Sequence, residues 1–142
     1  MSIQIRSLIP PGGFSNLVGH YVAALDVGAE QTQAAAKQSA DPAAACAVLA
    51  EIGALESAWV HQAVGGVPTP PAPEAGADLA AWLGWLEAVR TISIMVLRPK
   101  QDRDLEAFVR VPGEEASGGP RTLKRLLAEL LYEQGRLAGR IS

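Results

Sequence analysis

The stretch Thr122-Leu-Lys-Arg-Leu-Leu-Ala-Glu129-Leu-Leu-Tyr-Glu133-Gln-Gly-Arg-Leu137-Ala-Gly139-Arg140-Ile141 decides the fold. Leu123, Leu126, Leu127, Leu130 and Leu137 recur at helical spacing, so they form an apolar stripe that must pack on something. Glu133 stands three residues after Leu130 and four before Leu137, on or beside that stripe. A carboxylate placed there is paired, bound to something, or turned out to the rim.

Working backwards, the same periodicity appears three more times. Leu17, Val18, Tyr21, Ala24, Leu25 and Gly28 set out a first helix from Ser15, a suitable N-cap, to about Lys37, after the lead-in Pro10-Pro-Gly-Gly13. Asp41 and Pro42 supply a cap and a first helical residue for a second helix. It reaches about Val64 and carries Val48, Leu49, Ile52, Leu55, Trp59 and Val60. Four prolines and three glycines between Gly65 and Gly76 exclude helix there and make a long crossover. Asp78 then caps a third helix, from Leu79 to about Leu97 before Pro99. A short extended segment, Phe108–Val111, precedes the glycines that approach the last helix.

These signals predict an all-α fold, a four-helix bundle in a single domain over residues 1–142. The short link pairs helix one with helix two. The long crossover lets helix three run parallel to helix two, giving an up-down-down-up order. Helix three holds Ile92-Ser-Ile94-Met95-Val96-Leu97, apolar on more than one side, which predicts a homodimer interface.

Composition narrows the function classes. Hydrophobic residues make up 49% of the 142 and charged residues 19%, enough apolar material for a core. Net charge is −3 and the pI about 5.3, so no basic face for nucleic acid is expected. No signal-peptide pattern opens the chain, and no apolar stretch is expected to approach the roughly 20 residues of a membrane span. The expected setting is cytoplasmic, with no membrane partner. The single cysteine, Cys46, sits in an alanine-rich run and is expected to be a small buried apolar residue.

Three stretches resemble the DinB-like (YfiT-like) superfamily of metal-dependent hydrolases. Leu49 to Trp59 looks like that family's second helix, Asp104 to Gly113 like the segment before its last helix, and Thr122 to Ile141 like the last helix itself. The resemblance implies a four-helix bundle and a metal site with one ligand from helix two and two from helix four. On this sequence those positions carry Glu51, Glu133 and Leu137, with no histidine among them, and leucine cannot coordinate a metal. The leading expectation is a diverged member without the family metal site and without a cofactor, left with a small-molecule-binding or stress-associated role. The alternatives are a metal-dependent hydrolase or thiol-dependent transferase with a rebuilt site, and a dimeric interaction protein.

A rebuilt divalent-metal site would use Glu51, Glu133 and His20, since one imidazole and two carboxylates make a legitimate donor set. The competing reading pairs both carboxylates with Arg136 or Arg140 at the bundle mouth. Glu56 substitutes for either carboxylate, or faces solvent or a neighbouring arginine. His61, near the end of helix two, is expected to interact with the helix dipole. Trp59 and Trp82, with Trp85 on the same helix face as Trp82, are candidates to line an apolar ligand pocket. Arg121, Lys124 and Arg125 crowd the first turn of helix four, where an anion would be welcome. The competing reading there is pairing with Glu114 and Glu115.

Overall fold

The computed structural model describes residues 16–112 and 119–142, and among these the chain is mostly helical. Helix α1 spans Asn16–Lys37, α2 spans Pro42–Glu56, α3 spans Leu79–Leu97 and α4 spans Leu123–Ala138. Helix α2 continues without a break into a π-helical stretch, Ser57–Val64. A 3₁₀ turn, Asp102–Glu106, follows α3. The extended segment expected at Phe108–Val111 is in part a strand, β1 (Phe108–Val109). It pairs antiparallel with β2 (Arg121–Thr122), Phe108 opposite Thr122 and Val109 opposite Arg121. The lead-in Pro10–Gly13, the cap at Ser15, and Glu114, Glu115 and Gly118 fall outside the described residues.

The helix starts follow from capping chemistry. The Asp41 carboxylate accepts from the Ala44 amide at 3.1 Å, with Pro42 at the first helical position. Asp78 accepts from Ala81 N–H at 2.9 Å, and Thr122 Oγ1 from Arg125 N–H at 3.2 Å. Each satisfies one of the donors that a helix leaves open. In α1 such a donor is met from a distance, the Leu17 amide donating to Asp102 Oδ1 at 3.1 Å. The crossover turns at Gly66 and Gly76, both with positive φ, and is fastened to α3 by the Trp85 indole N–H donating to the Pro70 carbonyl at 3.0 Å.

Two apolar regions make the core. The larger gathers Val18, Val22 and Leu25 of α1, Trp59 and Val60 of the π stretch, Leu97 of α3, and the leucines 123, 126, 127 and 130 of α4. Leu126, Leu127 and Leu130 are fully buried, each worth about 1.5–3 kcal/mol. The smaller region lies at the other end, in two adjoining clusters. One is built on Ala36, Ala45 and Leu49, the other on Val48, Ile52 and Leu137. Helix α2 packs most extensively on α3, and α4 packs against both α1 and α2.

Pro42–Val64 and Leu79–Leu97 are long and apolar enough, by length and composition, to cross a bilayer, which corrects the sequence expectation. Glu51, Glu56, Glu87 and Arg90 interrupt the apolar sequence without ending the helices.

Gly53 sets the spacing of α2 and α3. A Cβ on it would lie 2.2 Å from Cζ3 of Trp85, whose ring fills that space. Gly84, on α3, meets nothing within 4 Å. Gly53→Ala is therefore expected to destabilise the fold by about 1–3 kcal/mol through overpacking. Gly84→Ala is expected to stabilise it by about 0.5–1 kcal/mol through reduced unfolded-state entropy. Thermal or urea unfolding of the two variants checks the opposite signs.

Candidate functional site

Between the two apolar regions runs a polar layer to which all four helices contribute. Glu56, at the end of α2, is only 2% exposed. It is held by Arg90 of α3 in a two-pronged pair, Nη2 to Oε1 at 2.7 Å and Nε to Oε2 at 3.0 Å. Gln134 of α4 donates to Oε1 at 2.8 Å, and Ser93 Oγ to Oε2 at 2.6 Å. Asp26 of α1 approaches Arg90 Nη1 at 3.4 Å.

The layer extends inward to His61, which is fully buried. Its Nε2 lies 2.9 Å from the Val89 carbonyl and 3.0 Å from Ser93 Oγ. A carbonyl only accepts, so Nε2 carries a hydrogen, and Ser93 passes the chain of hydrogen bonds on to Glu56. Ser57 Oγ and His61 Nδ1 are buried with no hydrogen-bond partner among the described residues. The π stretch explains why these residues face inward together. Its wider winding, seen in Gly65 N–H bonding back to the Val60 carbonyl, brings Glu56, Ser57, Trp59, Val60 and His61 all to buried positions. The expectation that His61 serves the helix dipole is corrected accordingly: its ring is bonded to α3 in the core.

Burial pushes the Glu56 carboxyl up, but the Arg90 guanidinium, with hydrogen bonds from Arg90, Ser93 and Gln134, outweighs it and holds the group below its ordinary range. Arg90 is likewise opposed by burial and held above its ordinary value by Glu56 and then Asp26. Asp26 goes the other way. Desolvation raises it, and the nearby Glu30 and Glu56 charges add to the rise against the opposing pull of Arg90.

Glu56 and Arg90 form part of the wall of a cleft of about 1150 Å³. Helix α1 supplies Asp26, Val27 and Glu30, α3 supplies Leu86 and Glu87, and α4 supplies Leu131, Gln134 and Gly135. That is ample for a small organic molecule, and the mixture of apolar wall and a few fixed polar groups is what such sites share.

The residues expected from sequence lie elsewhere. Glu51 is exposed and pairs with Arg140 at 2.8 Å. Glu133 pairs with Arg136 at 2.7 Å. His20 is exposed on α1. Leu137, at the remaining position that the resemblance implies, is buried with Val48 and Ile52. Among the described residues no three His, Cys, Asp or Glu side chains converge as a metal would require. This donor set does not fit a resident divalent ion: each carboxylate already faces a guanidinium.

The ligand candidates are also committed. Arg121 stacks over the Trp59 ring, 5.0 Å from its centroid, and donates a short hydrogen bond to Glu129. Arg125 reaches the same carboxylate at 2.7 Å, and Lys124 pairs with Glu106 at 2.9 Å. An anion at this turn would have to displace those carboxylates. Trp59 is core. Trp82 stands edge-on to Trp85 at 5.5 Å, and neither Trp59 nor Trp82 lines the cleft. Glu56 does face an arginine, but inside the core. Arg90 and Gln134 were not singled out from sequence, although an arginine in the middle of an apolar helix is a legible demand for a partner. No family model matches the chain, and neither curated proteins nor solved structures give a match.

Because the folded chain holds Glu56 below its ordinary 4.5, the unfolded chain binds the proton first as pH falls. The Glu56 contribution is thus complete above about pH 4.5 and is lost on acidification through the lower, folded value; Asp26 contributes in the opposite sense. Glu56→Gln is expected to destabilise the protein by about 3–5 kcal/mol at pH 7 by leaving Arg90 buried with half its partner charge gone. It should also flatten the loss of stability below pH 4.5. Urea titrations of both proteins from pH 3 to 7 check both effects.

Proposed function

We propose that this chain is a cytoplasmic, non-catalytic small-molecule-binding protein. In this reading it is a diverged DinB-like four-helix bundle, up-down-down-up, in which the metal centre of the family has been replaced by ion pairs. The observation that carries the reading is the cleft walled by α1, α3 and α4 over the Glu56–Arg90 pair. A cavity backed by the buried Glu56–Arg90 pair and its hydrogen bonds from Ser93 and Gln134 holds its shape without a ligand, which reduces the ordering cost of binding one. At the positions where the resemblance implies metal ligands, Arg136 and Arg140 supply the positive charge that an ion would bring.

Two measurements test this. A neutral solvatochromic dye, Nile red, is expected to bind saturably, and Gly135→Phe, at a cleft-wall position where an added Cβ meets nothing within 4 Å, is expected to weaken it at least tenfold without lowering the melting temperature. Unsaturable dye uptake, or uptake untouched by the substitution, would remove the cleft from the reading. Untagged protein dialysed against zinc, manganese and nickel is expected to retain no stoichiometric ion. About one ion per chain, abolished by Glu51→Ala, would instead establish the metal-dependent alternative.

Homodimerisation through α3 accompanies this proposal. Met95 is 62% exposed on a strongly apolar helix, whereas Ile94 packs against the main core. Met95→Asp is expected to give the monomer mass by light scattering, where the unaltered protein gives a dimer.

A further inference from the structure

The lining of the cleft is unbalanced in both charge and hydrogen-bonding capacity. Among the described residues, the carboxylates of Asp26, Glu56 and Glu87 line the cleft beside one guanidinium, Arg90. Arg90 offers little to an anion, because Nε and Nη2 are spent on Glu56 and Nη1 is turned to Asp26. The other donors are similarly engaged. Gln134 bonds Glu56, Thr32 Oγ1 bonds the Gly28 carbonyl at 2.8 Å, and Thr91 Oγ1 bonds the Glu87 carbonyl at 3.0 Å. A ligand entering here meets the partly exposed Asp26 carboxylate and the exposed Glu87, on a wall that is otherwise apolar at Ala23, Val27, Leu86 and Leu131.

Asp26 is the carboxylate best placed to recognise such a ligand. Its side chain is 44% exposed, and its contact with Arg90 is long, at 3.4 Å, while Arg90 has its two shorter bonds elsewhere. Glu56 is closed off by Arg90, Ser93 and Gln134 and serves as the fixed backing for Arg90 rather than as a ligand contact.

We propose that the cleft takes a ligand bearing a protonated amine on an apolar body, with the ammonium group seated on Asp26 and the body along the wall between α1, α3 and α4. This rests on the reading of the cleft as a small-molecule site and adds the class of molecule. The desolvation that raises the Asp26 carboxyl is offset by the charge of an arriving cation, so the bound state gains a charge-assisted hydrogen bond in partly dry surroundings. An anionic ligand would meet the same carboxylates, and the one cation among the described lining residues, Arg90, is spent on Glu56 and Asp26.

The test uses three probes that share one body: 4-phenylbutylamine, 4-phenylbutanol and 4-phenylbutyrate, titrated calorimetrically into the full chain at pH 7. The amine is expected to bind at least tenfold tighter than the alcohol, and the carboxylate weakest. Asp26→Asn should bring the amine to the affinity of the alcohol and leave the alcohol unchanged. Glu87→Gln, at an exposed position on the same wall, should weaken the amine by two- to threefold and so reports independently should Asp26→Asn fold poorly. Equal affinity for amine and alcohol, preference for the carboxylate, or an amine preference untouched by both substitutions would overturn the assignment. If Nile red binds in the cleft but none of the three probes does, the amine class falls and the binding site stands. If Nile red also fails, the site falls with it.

Discussion

Glu56 and Arg90 are the charges on which the arrangement of the four helices depends. Each lies in a helix apolar enough to pass for a membrane span, and each would be ruinous in that setting alone. Together, with Ser93, Gln134 and Asp26 closing the remaining bonds, they become a layer that separates the Trp59 end of the core from the Leu49 end. Such a pair is seldom worth more than well-packed apolar residues of the same size. Its effect is on specificity. Rotating any one helix by a single residue would strand a charge in the core, whereas the surrounding leucines and alanines would tolerate many rotations. Greasy, leucine-rich helices otherwise pack in several registers, and the polar layer selects one.

Much of the scaffold was legible in the sequence. The spacing of Leu123, Leu126, Leu127 and Leu130, the Asp41–Pro42 start and the Asp78 cap are local signals, and local geometry answers them directly. The strand pair at Phe108 and Thr122 was less so, because each strand is two residues long and β2 abuts a helix start. The site was poorly legible for two physical reasons. Its members stand far apart in the chain, so that nothing near Glu56 announces Arg90 or Gln134. And the π stretch changes the winding at Ser57, so a face drawn with an ordinary helical period puts His61 at a solvated helix end instead of in the core. Glu51, five residues before Glu56, drew the metal reading by resemblance, yet it lies on the exposed side of the same helix.

The basic first turn of α4 shows how surface charge can imitate a site. Arg121, Lys124 and Arg125 all find carboxylates that are remote or a turn away, Glu106 and Glu129. The Glu129 carboxyl feels burial first, but the two arginines hold it below its ordinary range. With Arg121 also lying over Trp59, this end of the molecule is a cross-link between α4 and the π stretch. Cation–π contact and ion pairing here close the base of the larger apolar region, opposite in role to the cleft, where carboxylates outnumber cations and face open space.

The polar layer also bears on the order in which the chain assembles. Its members come from all four helices: the α2–α3 pair joins Glu56 to Arg90 and Ser93, while α1 and α4 add Asp26 and Gln134. Helix pairs such as α1 with α2 can form on leucine and alanine contacts alone, while the charges stay hydrated. Glu56 and Arg90 have their full set of partners only when α4 brings Gln134 and α1 brings Asp26 into place. Interactions completed after the rate-limiting step slow unfolding more than they speed folding, and those two contacts are the ones that need all four helices.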